Sequence, residues 1–266
     1  MPIYQAPGVY VEEVPVIPTI SGVGTSTAAF IGESDGAKMP LQADAVTPFP
    51  LVALEEPHLV TNFDQFKRLF GDFDAGNRVL AHSVYGFFNN GGSTLWVARV
   101  DDLDDAGKVG NVLAKFAAID EIAIVAAPGA LDAAVQTAII NHCENETLRD
   151  RFAILDGQPT TTITSAAIRG GIDGTAAGTS EYGAIYFPFV RVFDPDTKAT
   201  ISIPPSGLMA GIYGRVDASR GVHKAPANES VRGALGLDYQ MTKGEQATVN
   251  LQGINAIRAL NGSILV

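Results

Sequence analysis

Residues 122–156 read IAIVAAPGALDAAVQTAIINHCENETLRDRFAILD, and their punctuation decides the fold. Ile122 to Ala127 is a short apolar run of the kind that forms a strand covered on both faces, and Pro128-Gly129 breaks it. Ala130 to Thr147 follows as an amphipathic helix, with Leu131, Val135, Ala138, Ile139 and His142 on or near one stripe. Arg151 to Asp156 is a second strand. Strand, helix and strand in so short a stretch make a βαβ unit, whose strands run parallel through a right-handed crossover.

The same reading extends outward. Thr27 to Gly32 (TAAFIG) and Thr94 to Val100 (TLWVARV) are strand candidates. Between them Thr61-Asn62 can cap a helix with Phe63, Phe66, Leu69 and Phe70 on one face and Gly71 as its end. Asn77 caps a second helix with Val79, Leu80, Val84, Phe87 and Phe88 inward, stopped by Asn89-Asn90-Gly91-Gly92. Ala37 to Glu56 has no clear period and reads as an excursion; Val109 to Ala118 can be helical. Glu181 to Asp194 (EYGAIYFPFVRVFD) is a long apolar strand in which Pro188 marks an edge, a bulge or a break. Residues 21 to about 215 thus read as an α/β domain.

Composition removes several function classes. Of 266 residues, 46% are hydrophobic and 18% charged, which is too apolar for a disordered chain. No apolar run approaches the ~20 residues that cross a bilayer, and Met1 to Tyr10 has neither a basic leader nor a greasy stretch. The expectation is a protein made in the cytoplasm, without membrane insertion. Cys143 is the one cysteine, so neither an intrachain disulfide nor a multi-cysteine metal site is available. A balance of 18 basic against 29 acidic residues argues against nucleic acid, whose binding is driven by cations. The balance is uneven: residues 1–200 hold 12 basic and 25 acidic groups, residues 201–266 hold 6 and 4.

No enzyme site assembles. Gly22 to Thr27 is rich in glycine but precedes a strand and lacks Gly-Lys-Ser/Thr, so it reads as a turn rather than a phosphate cradle. Asp101, Asp102, Asp104 and Asp105 miss the spacing of a calcium loop and read as a solvated turn. His142, Cys143 and Glu144 point different ways on a helix, and Cys143 reads as a packed, inert thiol. Ser206 lacks the Gly-x-Ser-x-Gly elbow of a hydrolase. The expectation is no enzyme, no cofactor and no metal. The alternative, prompted by the βαβ unit and the glycine-rich turn, is a small-molecule-binding α/β enzyme or nucleotide-binding domain.

Two stretches are more distinctive. The opening MPIYQAPGVYVEEVPVIPTI is too short to form a core, and Val9 to Val14 has strand composition that needs a partner strand. Pro204 to Glu229 reads PPSGLMAGIYGRVDASRGVHKAPANE. Together with Pro7 to Val14 it resembles the contractile tail sheath family of phages and phage-tail-like injection systems. The likeness continues through Thr25 to Ser34, Ser83 to Val100, Ile122 to Asp156 and Glu181 to Pro195.

The resemblance implies a structural subunit that stacks in hexameric rings around an inner tube and contracts to drive that tube through a target cell envelope. It implies a layered mixed sheet with flanking helices, likened to a subtilisin-type fold without its protease chemistry. Residues 1–20 would be an arm for strand exchange, 21–220 the α/β sheath domain, and 221–266 the beginning of a smaller C-terminal α+β sheath domain, cut short at Val266. The arm residues Tyr4, Pro7, Gly8, Val9, Tyr10, Val11, Glu12, Glu13 and Val14 would link subunits by β-augmentation. Arg215, Arg220 and Lys224 are candidate cations facing the tube or a neighbour. Partners would be copies of the same chain, an inner tube protein, and baseplate and terminator or cap proteins, with neither nucleic acid nor membrane insertion. The place of assembly would be a phage tail or phage-tail-like particle.

Overall fold

Successive residues of a strand face opposite ways, so a strand covered on both sides feeds two cores. In the computed structural model, which describes residues 26–145, 149–173, 177–260 and 262–266, strand β1 (Ala28–Glu33) does this. Ala28 and Phe30 enter one core, Ala29 and Ile31 the other, and all four are fully buried. The arm residues Tyr4 to Val14 and the turn residues Gly22 to Thr25 lie outside the described residues.

In chain order β1 is followed by β2 (His58–Val60), α1 (Phe63–Phe70), α2 (Arg78–Asn90), β3 (Leu95–Val100), α3 (Ala106–Phe116), β4 (Ile124–Ala126), α4 (Ala133–Glu144) and β5 (Phe152–Asp156). Then come α5 (Ser165–Arg169), β6 (Gly183–Phe187), β7 (Val190–Asp194), β8 (Ala199–Ile203), α6 (Ser206–Arg220), β9 (Gly236–Leu237), α7 (Lys243–Leu251), β10 (Ile254–Ala256), β11 (Arg258–Leu260) and β12 (Ser263–Leu265). Seven strands form one sheet in the order β10-β6-β5-β4-β1-β3-β2, all parallel except β2 against β3. Residues of α1, α2 and α6 build the core on one face; residues of α3, α4, α5 and α7 build the core on the other. This is a three-layer α/β/α architecture with a mixed sheet, and β4, α4 and β5 are its βαβ unit.

Local chemistry explains most boundaries. The Asn62 side chain accepts from the Gln65 N–H and starts α1, as the sequence predicts. Asp105 accepts from the N–H groups of Gly107 and Lys108, so α3 begins three residues before Val109. Asp132 caps α4, which therefore starts at Ala133, and its buried stripe is Val135, Gln136, Ile139, Ile140 and Cys143. Leu131 and His142 flank that stripe. Asn77 does not cap α2 with its side chain; its Oδ1 accepts from Asp74 N–H instead. Val79, expected inward, is 36% exposed.

The expected long strand from Glu181 to Asp194 is two strands in two sheets. Pro188 has no N–H for a ladder; before it β6 joins the large sheet, and after it β7 centres a three-stranded sheet, β8-β7-β9. Residues beyond 220 also return to the body. β9 pairs with β7, and β10 pairs in parallel with β6, Ile254 opposite Ile185 and Ala256 opposite Phe187. Both apolar residues of β10 are buried while Asn255 between them is exposed.

Candidate assembly interface

The distinctive stretch from Pro204 to Glu229 forms α6 and the loop beyond it. A helix start leaves N–H groups without intrahelical partners, and Pro205 at the cap supplies no side-chain acceptor. Asp156, at the end of β5, fills the gap. Ser206 N–H donates to Asp156 Oδ1 and Ser206 Oγ donates to Oδ2, both at 2.7 Å, while Gly129 N–H donates to Oδ2 at 3.0 Å. Burial pushes the Asp156 carboxyl up to about 6, with the three donors pulling the other way.

Helix α6 is buried on nearly every side, Ser206 to Ile212 without a break. It lies against α2 through glycines. A Cβ on Gly211 would stand 2.3 Å from the Phe87 carbonyl oxygen, and one on Gly207 2.5 Å from Ser83 Cβ. Nearer the sheet, the hydroxyls of Tyr186 and Tyr213 meet at 3.0 Å, and burial raises both above the ordinary tyrosine range.

The last turns of α2 and α6 anchor a ribbon. Arg215 donates to the carbonyls of Asn90 (3.0 Å) and Ser230 (2.8 Å) and stands 3.6 Å from Glu229. Asn90 accepts the Arg232 N–H and donates to the Arg232 carbonyl. Residues 228–231, held this way, run along β12: Val231 N–H donates to the Ile264 carbonyl, Val266 N–H to the Glu229 carbonyl, and Asn228 N–H to the Val266 carbonyl. β12 pairs antiparallel with β11. Among the described residues β11 has no second partner strand, and β9 lies near it.

The sequence-predicted cations divide. Arg215 is turned into the chain by the bonds above, and Lys224 pairs with Glu229 at 2.9 Å, holding that carboxyl below its usual range. Both thus have partners within the chain. Arg220 is exposed and has no ion pair among the described residues. The acidic turn is used locally, Asp101 pairing with Lys108 at 2.8 Å and Asp105 capping α3. His142 meets the buried Arg151 at 3.2 Å, and burial with that guanidinium lowers the imidazole to about 4. Cys143 is buried, which pushes its thiol up to about 12. Sequence reasoning missed Asp156, Asn90 and the tyrosine pair, whose partners lie far along the chain; only the place of Asp156 at a strand end was visible.

The family model of the phage tail sheath protein central domain matches residues 106–266, and the chain belongs to the phage tail sheath family. Its fold is similar to the anti-feeding prophage helical sheath in its contracted state, at 26% identity over 99% of this chain and 67% of that chain, with a TM-score of 0.69. It is also similar to a chain of the anti-feeding prophage baseplate (25% identity, 99% and 67% covered, TM-score 0.67). A third likeness is to the contracted sheath complex of the extracellular contractile injection system PVC (24% identity, 100% and 66% covered, TM-score 0.69). The chain spans about two thirds of the length of these proteins. No curated protein matches it. It is a structural sheath protein and not an enzyme, and the small-molecule alternative has no support.

Proposed function

We propose that this chain is the repeating subunit of a contractile sheath, stacked in hexameric rings around an inner tube that contraction drives through a target envelope. The family match over residues 106–266, with the similarity to a contracted sheath, carries this reading. In it residues 1–20 are the linking arm and 21–220 the α/β body. Residues 221–266, whose β9 and β10 pair with that body, are the beginning of the smaller C-terminal sheath domain. Tyr4 to Val14 of one subunit add a strand to a neighbour, and β11, which has no second partner strand among the described residues, is a candidate acceptor, since an unpaired strand edge accepts main-chain hydrogen bonds. Arg215, Arg220 and Lys224 are the cations that would meet a tube or neighbour, Arg220 being the exposed one without an ion pair among the described residues. Inner tube, baseplate and cap proteins are the partners, and the particle is a phage tail or phage-like injection device.

Deletion of residues 1–14 tests the linkage. Light scattering should show loss of large assemblies while thermal unfolding of the body is unchanged. Assemblies of undiminished size would overturn it.

A further inference from the structure

Beside the helix pair lies a groove that the assembly reading does not use. It runs between the outer face of α2 and the β7–β8 hairpin, with a volume of about 270 Å³. Its walls are aromatic and aliphatic: Phe73, Tyr85, Phe193 and Leu208. Tyr85 and Phe193 are 47% and 54% exposed, an unusual outlay of aromatic surface for solvent. Asn89 and Arg232 stand at the polar rim. Arg232 is exposed and has no carboxylate partner among the described residues; its guanidinium makes one long bond, 3.4 Å, to the Asn89 carbonyl.

We propose that this groove is the docking site of the chain's own segment Glu12 to Pro18, which parks the arm on the body before assembly. Three observations select that occupant. The segment reads EEVPVIP, and Pro15-Val16-Ile17-Pro18 has the Pro-x-x-Pro spacing. Aromatic-lined grooves take such segments because proline pre-sets an extended chain, lowering the entropy lost on binding, and needs no ladder partner for its nitrogen. Next, Glu12 and Glu13 precede the prolines and complement Arg232 in charge. Reach is the third. Ser26, the first described residue, lies against α6 at Gly214, where a glycine Cβ would stand 3.4 Å from Ser26 Cβ. Leu208 in the groove is six residues away on the same helix, a rise of about 9 Å. Residues 19–25 can span up to ~25 Å when extended.

Val16 and Ile17 then fill the space between Tyr85 and Phe193, and the strand-forming residues before them are withheld from other copies. The docking stands on the groove; its meaning as a brake on assembly rests on the arm's proposed linking role.

Disulfide trapping in the full chain tests it, with Val16→Cys paired with Asn89→Cys, against Val16→Cys paired with the remote, 90% exposed Leu251→Cys as control. In dilute protein the groove pair should close an intrachain disulfide at least about tenfold faster than the control, because docking raises the effective concentration. Phe193→Ser, at an exposed site, should bring the rate to the control level, as should Pro15→Gly with Pro18→Gly, which leaves the body untouched. Equal rates, or linked dimers in place of the intrachain product, overturn the proposal. Sheath assembly is scored separately by light scattering. In the reduced chain, whose arm can leave the groove, failure to assemble sinks only the linking role of the arm, and assembly with trapping no faster than the control sinks only the docking. In the oxidised groove pair assembly should stop; assembly with every arm crosslinked sinks the brake.

Discussion

Ser206 donates both its backbone N–H and its hydroxyl to the carboxylate of Asp156, each at 2.7 Å and across 50 residues of chain. The end of β5 thereby caps α6, and the same carboxylate takes the Gly129 N–H of the β4–α4 loop. One buried charge fixes the helix, the sheet and a loop in register. Its hydrogen bonds are strong because the acceptor is ionised, and its cost is desolvation.

That cost is readable as a pH dependence. The folded carboxyl sits at about 6, above its ordinary 3.8, so the folded protein takes up a proton before the unfolded chain does. Stability from this group is complete below the unfolded value and is lost as pH rises through 6. Between pH 7.5 and pH 5 wild type should gain about 1 kcal/mol relative to Asp156→Asn, measured as the difference between urea midpoints converted to free energy. A difference that does not change with pH would show that Asp156 is not held as described. His142 works in the opposite sense: lowered to about 4, it leaves the unfolded chain binding more protons as pH falls below the usual histidine range. Comparison of Asp156→Asn with wild type cancels that contribution.

The α2–α6 contact predicts opposite outcomes for one kind of substitution. Gly211→Ala places a Cβ 2.3 Å from the Phe87 carbonyl oxygen and should cost about 1–3 kcal/mol through forced separation of the helices. Gly110→Ala, where a Cβ in α3 meets nothing within 4 Å, should gain about 0.5–1 kcal/mol from helix propensity. Urea unfolding of both variants measures the pair. A neutral Gly211→Ala would mean that the two helices are not in this close contact.

Arg215 should matter to the ribbon more than to the body. Arg215→Ala removes the donors to the Asn90 and Ser230 carbonyls, so residues 228–231 keep only the Asn90–Arg232 tie to the helix pair. Hydrogen exchange at the Val231 and Val266 amides should accelerate at least about tenfold, while amides of β1 and β4 keep their protection.

Cys143 reports opening of the α4 layer. Its thiol is fully buried and pushed up to about 12, so a thiol reagent at pH 7.5 should label the native protein orders of magnitude more slowly than the urea-unfolded chain. Rapid native labelling would show that α4 does not pack as described.

What was legible in the sequence was local. Asn62 caps α1 within three residues of itself, so its start could be read; α3 and α4 were legible as helices, but each begins three residues from where the apolar pattern puts it, at the caps Asp105 and Asp132. The parallel strands β1, β3, β4 and β5 were legible as apolar runs, because burial on both faces leaves little room for polar residues. Long-range partners were not. Ile254 to Ala256 becomes a strand only by pairing with residues 185–187, some seventy positions earlier, and three residues carry no periodicity of their own. Arg215 was legible as a cation, but its acceptor at Asn90 was not, standing 125 residues earlier. Asp156 looked like any strand end, since its partners Gly129 and Ser206 stand 27 and 50 residues away. The family resemblance was carried by Pro7 to Val14 together with Pro204 to Glu229, the latter forming α6 and the start of the ribbon.

The central claim is that this subunit builds a sheath. Electron microscopy of the full-length protein co-expressed with its tube protein tests it most directly. Striated hollow cylinders or stacked six-fold rings around the tube are the predicted result; dispersed monomers, with the tube bare at every protein concentration, would contradict it.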